Sequence, residues 1–128
     1  MSWTIDLPYT APPLRDNDRR HWADKHKRTA ILRRDAYTIA LAMNRAGELP
    51  HGLGRVRIVL VWRPAVNRRR DQLSIAPTLK PLVDGLVDYG LIPDDDTEHC
   101  ELSCRIEPVA KPARLWLEIT DLTEARTA

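Results

Sequence analysis

The chain has 128 residues, of which 43% are hydrophobic and 30% charged, with a formal net charge of +2. That length suits one domain that buries a core without disulfides or a structural metal, and the composition is too apolar for wholesale disorder. No apolar run reaches the roughly 18 residues needed to span a bilayer, and the start MSWTIDLPYT lacks the basic and apolar stretches of a secretion signal; a cytoplasmic protein with no membrane partner is expected.

Residues 3–7 alternate apolar with polar side chains before Pro8, which reads as a short strand ended by a residue that cannot extend a ladder. Pro12 and Pro13 open an irregular stretch rich in turn formers and basic residues. From about 22 to 46, Trp22, Ala30, Tyr37, Ile39, Leu41 and Ala42 stand among good helix formers, and Gly47 and Pro50 supply the stop. Residues 55–62 begin alternating and end continuously apolar, as in a strand that moves into a covered sheet centre, and Pro64 ends it.

A second helix is predicted from Leu79, Leu82, Val83, Leu86 and Val87, spaced three and four apart before Gly90. Pro81 lies inside this pattern, so the helix is expected either to begin near it or to carry a distorted first turn. Residues 102–106 and 114–119 alternate and flank Pro108 and Pro112, which predicts an antiparallel pair joined by a long turn. Residues 122–128 read as a frayed tail. The expectation is one α+β domain over residues 1–128, a mixed sheet with two helices in the order β-α-β-α-β-β.

Cys100 and Cys104 share one strand face and are expected as reduced thiols; with His99 they lack a fourth ligand at zinc spacing, so a zinc site is rejected. Trp22, Trp62 and Trp116 occupy apolar positions and are expected in the core or a dimer interface. His21 and His26 receive no catalytic role.

Charge is distributed unevenly. Basic residues crowd between positions 15 and 34 and in the run Arg68-Arg69-Arg70, while acids crowd from Asp84 to Glu101. Asp71 follows the second strand, and Asp94, Asp95 and Asp96 follow the second helix, so both acidic groups sit at element ends, where sites are usually built. Convergent carboxylates repel unless a divalent cation lies between them, and oxygen ligands favour Mg²⁺ or Mn²⁺. The neighbouring arginines and Lys80 suit a phosphate backbone. The ordinary alternative is a solvated acidic turn.

Asn67-Arg68-Arg69-Arg70-Asp71, Pro77-Thr78-Leu79-Lys80, Asp84-Gly85-Leu86-Val87-Asp88, Gly90-Leu91-Ile92-Pro93 and Asp94-Asp95 follow one another in an order that resembles the RusA-like Holliday junction resolvases of phages and prophages. Asn17-Asp18-Arg19 with His21-Trp22 resembles a signature near the start of phage members, and the likeness covers nearly the whole chain. It implies a small homodimer of α/β architecture in the host cytoplasm. It also implies Mg²⁺-dependent crossover junction endodeoxyribonuclease activity that nicks four-way DNA junctions in pairs during recombination and repair, with no organic cofactor.

Carried onto this sequence, the resemblance makes Asp71, Lys80 and Asp95 the catalytic residues and Asp71, Asp95 and Asp94 the metal ligands. Asn17, Arg19, Arg20, Lys25, Lys27, Arg68, Arg69 and Arg70 are the expected DNA contacts. The family pattern Arg-Asp-x-Asp-Asn is broken here: Leu73 stands where the second aspartate belongs and Ser74 where the asparagine belongs. In an extended segment, position 73 would point the same way as Asp71. Leucine brings no oxygen, which leaves two expectations, an active nuclease and a weakened homologue that still dimerises and binds branched DNA. A third reading, a binding domain of other purpose, would leave the acids as plain surface.

Overall fold

The computed structural model describes residues 1–15 and 21–123. In chain order its elements are strand β1 (Ser2–Asp6), helix α1 (Trp22–Arg45), strand β2 (Val56–Arg63), a 3-10 turn (Gln72–Ile75), helix α2 (Ala76–Tyr89), and strands β3 (Cys100–Ile106) and β4 (Arg114–Asp121). The α+β class, with two helices and a mixed four-stranded sheet, follows from these elements.

The strand order is β1-β4-β2-β3, with β4 antiparallel to β1 and β2, and β3 parallel to β2. The predicted pairing of the last two strands is therefore wrong, because β2 lies between them. Val56, Ile58, Leu60, Val61 and Trp62 make β2 apolar on both faces, which suits an interior strand with a neighbour on each edge. Parallel pairing of β2 with β3 needs a crossover, and α2 supplies it. The segment from β3 to β4 then crosses the end of β2. The Glu107 N–H donates to the Trp62 carbonyl at 2.8 Å and the Ala110 N–H to the Pro64 carbonyl at 3.1 Å.

Ile5, Ile58, Leu60, Leu117 and Ile119 are fully buried and alternate along their strands, so they share one sheet face. They form one core with Leu32, Ala36 and Ala40 of α1 and Leu79, Leu82, Val83 and Leu86 of α2. Each large side chain of this set stabilises the fold by roughly 1.5–3 kcal/mol. Val61 and Trp116 are buried outside that cluster, and the Arg114 guanidinium lies 4.2 Å from the centre of the Trp116 ring.

The buried stripe of α1 is narrower than its sequence suggests. Ile39 and Leu41 pack partly against the core, whereas Ala30, Tyr37 and Ala42 are exposed. Trp22, expected in the core or an interface, is 72% exposed at the first turn. The cause is the approach of α2 at Gly85, where an added Cβ would stand 2.3 Å from the Arg33 carbonyl oxygen and 2.8 Å from the Ala36 Cβ. Only small residues fit that crossing, so α1 turns its 32, 36, 40 side inward.

Helix α2 begins at Ala76, with Pro77 in its first turn, and runs through Pro81. Pro81 forgoes the one backbone bond its N–H would have made to the turn before it. Gly90 closes the helix at φ 98°, a left-handed cap that glycine adopts without strain. The start of the expected tail is anchored: the Leu122 N–H donates to the Arg55 carbonyl at 2.9 Å, and the Thr123 hydroxyl accepts from the Gly54 N–H at 3.2 Å. Residues 124–128 lie outside the described residues. Among the described residues, no helix is long and apolar enough to cross a membrane.

Candidate nucleic-acid interface and acidic cluster

Two charged regions flank the 3-10 turn. On its N-terminal side, the loop after β2 carries Arg68 and Arg69, both exposed and without an ion-pair partner among the described residues. Arg70 is held more firmly. Its guanidinium donates to the Arg68 carbonyl at 3.1 Å and the Val66 carbonyl at 2.7 Å, and its central carbon lies 4.9 Å from the centre of the Trp62 ring.

Arg15 reaches the same ring from the other end of the chain, at 4.7 Å. Its approach is built by three ties. Trp62 Nε1 donates to the Thr10 carbonyl at 3.1 Å, and Tyr9 donates its hydroxyl to Asp35. The buried Thr78 hydroxyl accepts from the Leu14 N–H at 3.0 Å and donates to the Leu14 carbonyl at 2.7 Å. Burial and the facing Asp35 carboxylate hold the Tyr9 phenol protonated well above its ordinary range.

Asp71 caps the N-terminus of the 3-10 turn: its Oδ1 accepts from the Leu73 N–H at 3.0 Å, and the Ser74 hydroxyl donates to its carbonyl at 2.6 Å. Position 73 lies within a 3-10 turn of three residues per turn, so it does not share a side with Asp71 as an extended segment would have it. Leu73 is 64% exposed.

Lys80, one turn into α2, donates its ammonium to Asp84 Oδ1 at 2.8 Å and to Asp95 Oδ2. These hydrogen bonds raise the Lys80 pKa, that from Asp84 first and that from Asp95 next. The same ammonium, chiefly through its hydrogen bond, holds Asp95 below the ordinary carboxylate range. Asp94 Oδ1 accepts from the Asp95 N–H at 2.8 Å. Asp96 accepts from the Glu98 and His99 backbone N–H groups and pairs with His99 Nδ1 at 2.6 Å, which lowers its pKa and fixes the turn into β3.

The structure thus joins Lys80 to Asp95, adds Asp84, and leaves Asp71 and Asp94 engaged with their own backbone. Among the described residues, no group of three or more histidine, cysteine or acidic side chains stands close enough to hold a metal ion. A divalent cation needs several convergent oxygens, and here an ammonium already occupies the Asp95 carboxylate, so these residues as arranged do not fit a resident Mg²⁺ or Mn²⁺. Cys100 and Cys104 are free thiols. Burial first, and then the nearby aspartates, push the Cys100 thiol up to about 11.

Of the expected DNA contacts, Lys25 and Lys27 lie in the first turns of α1, the former half-buried and the latter exposed. Asn17, Arg19 and Arg20 lie outside the described residues. The pairing of Arg15 and Arg70 over Trp62 and the Lys80–Asp84 bond were not anticipated as site features. A tryptophan ending a strand just before an arginine run was the available signal for the first, and i,i+4 spacing for the second. No family model matches the chain, and no curated protein matches it.

Proposed function

We propose that the chain is a RusA-like, homodimeric protein that binds branched DNA, four-way junctions in particular, with its Mg²⁺-dependent cleavage weakened at Leu73. One juxtaposition carries this reading: exposed Arg68 and Arg69, without an ion-pair partner among the described residues, stand just ahead of Arg70 and Asp71 in the chain, on a surface where Asp71, Asp94 and Asp95 do not converge. Arginines so placed take up phosphate charge. Of these acids, Asp95 already has a counter-charge in the Lys80 ammonium.

Full junction-resolving endonuclease activity is the second reading. It is favoured by the Lys80–Asp95 ion pair, since that lysine and that aspartate are two of the three residues the family resemblance makes catalytic.

A labelled four-way junction separates these readings. Incubated with Mg²⁺ or Mn²⁺, it is expected to be bound and shifted on a native gel while only slowly nicked. Rapid paired nicking establishes the resolvase reading instead, and a protein that binds neither junction nor duplex excludes both. Light scattering at micromolar concentration is expected to give a dimer, since paired cuts need two sites and one domain supplies one.

A further inference from the structure

The cleft between the 9–15 segment and the loop after β2 has a volume of about 380 Å³. Arg15, Arg68, Arg69 and Arg70 line it together with apolar residues such as Ala65 and Val66, and no carboxylate is among its described lining residues. A cavity whose described lining carries one sign of charge beside an apolar wall suits an anion that also carries an apolar surface. Its size is at the small end of ligand pockets, which span roughly 300–1,000 Å³. It suits one nucleotide rather than a length of duplex.

Trp62 lines the cleft and sets its geometry. The residue is only 5% exposed and two guanidiniums lie over its ring, which leaves it little face for a base. The plane offered to a base is that of the Arg70 guanidinium, which stacks as readily on a nucleobase as on tryptophan. Arg70 is also ordered in advance. Two of its five N–H groups are fixed on the Val66 and Arg68 carbonyls, which leaves donors for an oxyanion at little entropic cost.

We propose that this cleft receives one unpaired nucleotide of a DNA strand, its base stacked on the Trp62-backed guanidinium of Arg70 and its phosphates on Arg68 and Arg69. The DNA source rests on the branched-DNA reading above; the pocket itself rests on the geometry of the cleft.

Calorimetry on the full-length protein tests it with two probes, thymidine 3′,5′-bisphosphate and the same bisphosphate without its base. The thymidine compound is expected to bind with one site per chain and about tenfold tighter than the abasic one, as base stacking requires. Arg70→Lys keeps the charge and removes the plane, so the preference between probes is expected to collapse toward one while phosphate binding persists. Val66→Asp, at a position 56% exposed that tolerates a carboxylate, is expected to abolish binding of both.

Equal binding of the two probes by the unaltered protein overturns the proposal, as does an unchanged preference in Arg70→Lys. A native-gel shift of a four-way junction keeps the two readings apart. Junction binding without bisphosphate binding overturns the pocket alone. Bisphosphate binding without junction binding supports the pocket and overturns the DNA reading.

Discussion

The arginine cleft and the Lys80 cluster lie on either side of the same 3-10 turn, yet they are opposites in electrostatic design. In the cleft, Arg68 and Arg69 have no partner among the described residues, and Arg70 spends its hydrogen bonds on backbone carbonyls rather than carboxylates. In the cluster, the ammonium of Lys80 already sits between Asp84 and Asp95. Unbalanced charge is costly to the isolated fold and is recovered only when a counter-charge binds. Balanced charge favours the fold a little and leaves little attraction for an incoming cation. The cleft is thus prepared for an anion, while the cluster must give up its own cation before it can hold another.

The sharpest way to break this contrast is to neutralise the cleft. Replacing Arg68, Arg69 and Arg70 together with glutamine is expected to weaken binding to all DNA shapes by about a hundredfold at low salt. The slope of log affinity against log salt should become shallower by about three, roughly one unit for each phosphate that no longer meets a guanidinium. Salt titrations of the triple variant check it. An unchanged slope places the DNA path elsewhere on the surface.

The shared scaffold comes next. Gly85→Ala gains about 1 kcal/mol of helix propensity, but its Cβ would meet the Arg33 carbonyl oxygen at 2.3 Å, and backbone atoms cannot rotate away. Overpacking of this kind costs up to about 3 kcal/mol, so a net loss of about 2 kcal/mol is expected by urea unfolding. Because α2 carries Lys80 and the Thr78 that anchors Leu14, both regions should loosen together. A neutral or stabilising Gly85→Ala would mean that the helices are not packed this closely.

How much of this was legible in the sequence depends on the range of the interactions involved. The apolar spacing of Leu79, Leu82, Val83 and Leu86 gave the buried side of α2, and Gly90 gave its end, because both signals are local. The position of β2 between β3 and β4 was hidden: alternation marks a strand but says nothing of its neighbours, and nearness in sequence favoured the wrong pairing. In the site, Asp71, Lys80 and Asp95 could be singled out by type and order. The Asp71 cap is local but was hidden because the segment reads as extended rather than as a 3-10 turn, whereas the neutralisation of Asp95 by Lys80 depends on tertiary placement. The stack of Arg15 and Arg70 on Trp62 is of the same kind, since it needs Thr78 and Trp62 to fix the N-terminal segment first.

A smaller effect is expected from giving the acidic side what the family pattern has. Leu73→Asp places a carboxylate at an exposed position, so the core is untouched. In a 3-10 turn the new group does not converge with Asp71, and its contribution is that of a surface charge, under about 1 kcal/mol. Calorimetry with Mn²⁺ should therefore register a gain of about threefold rather than the appearance of a tight site, with junction nicking rising in proportion. A gain of several orders of magnitude would mean that the turn rearranges around the metal.

The least effect, and the most direct reading of the cluster, comes from Lys80→Met. In the unaltered protein Asp95 titrates below its ordinary value of 3.8, so its stabilisation is present above that pH and is lost as pH falls through the lower folded value. Lys80 titrates above its ordinary 10.5, so its share is present below that pH and is lost as pH rises through the higher folded value. The contribution of the cluster is thus flat from about pH 5 to 9 and fades at both extremes. Lys80 is 61% exposed, so solvent screening holds the contribution to a few tenths of a kcal/mol. Lys80→Met removes the largest cause of the Asp95 depression and leaves burial opposing its charge, so the carboxyl carbon of Asp95 should titrate at higher pH by NMR. The stability difference between the two proteins should shrink toward zero once pH falls below the depressed Asp95 value, where both carry a neutral Asp95. An Asp95 that titrates identically with and without Lys80 would break the contrast at its root, since the aspartate would then be free to take a metal.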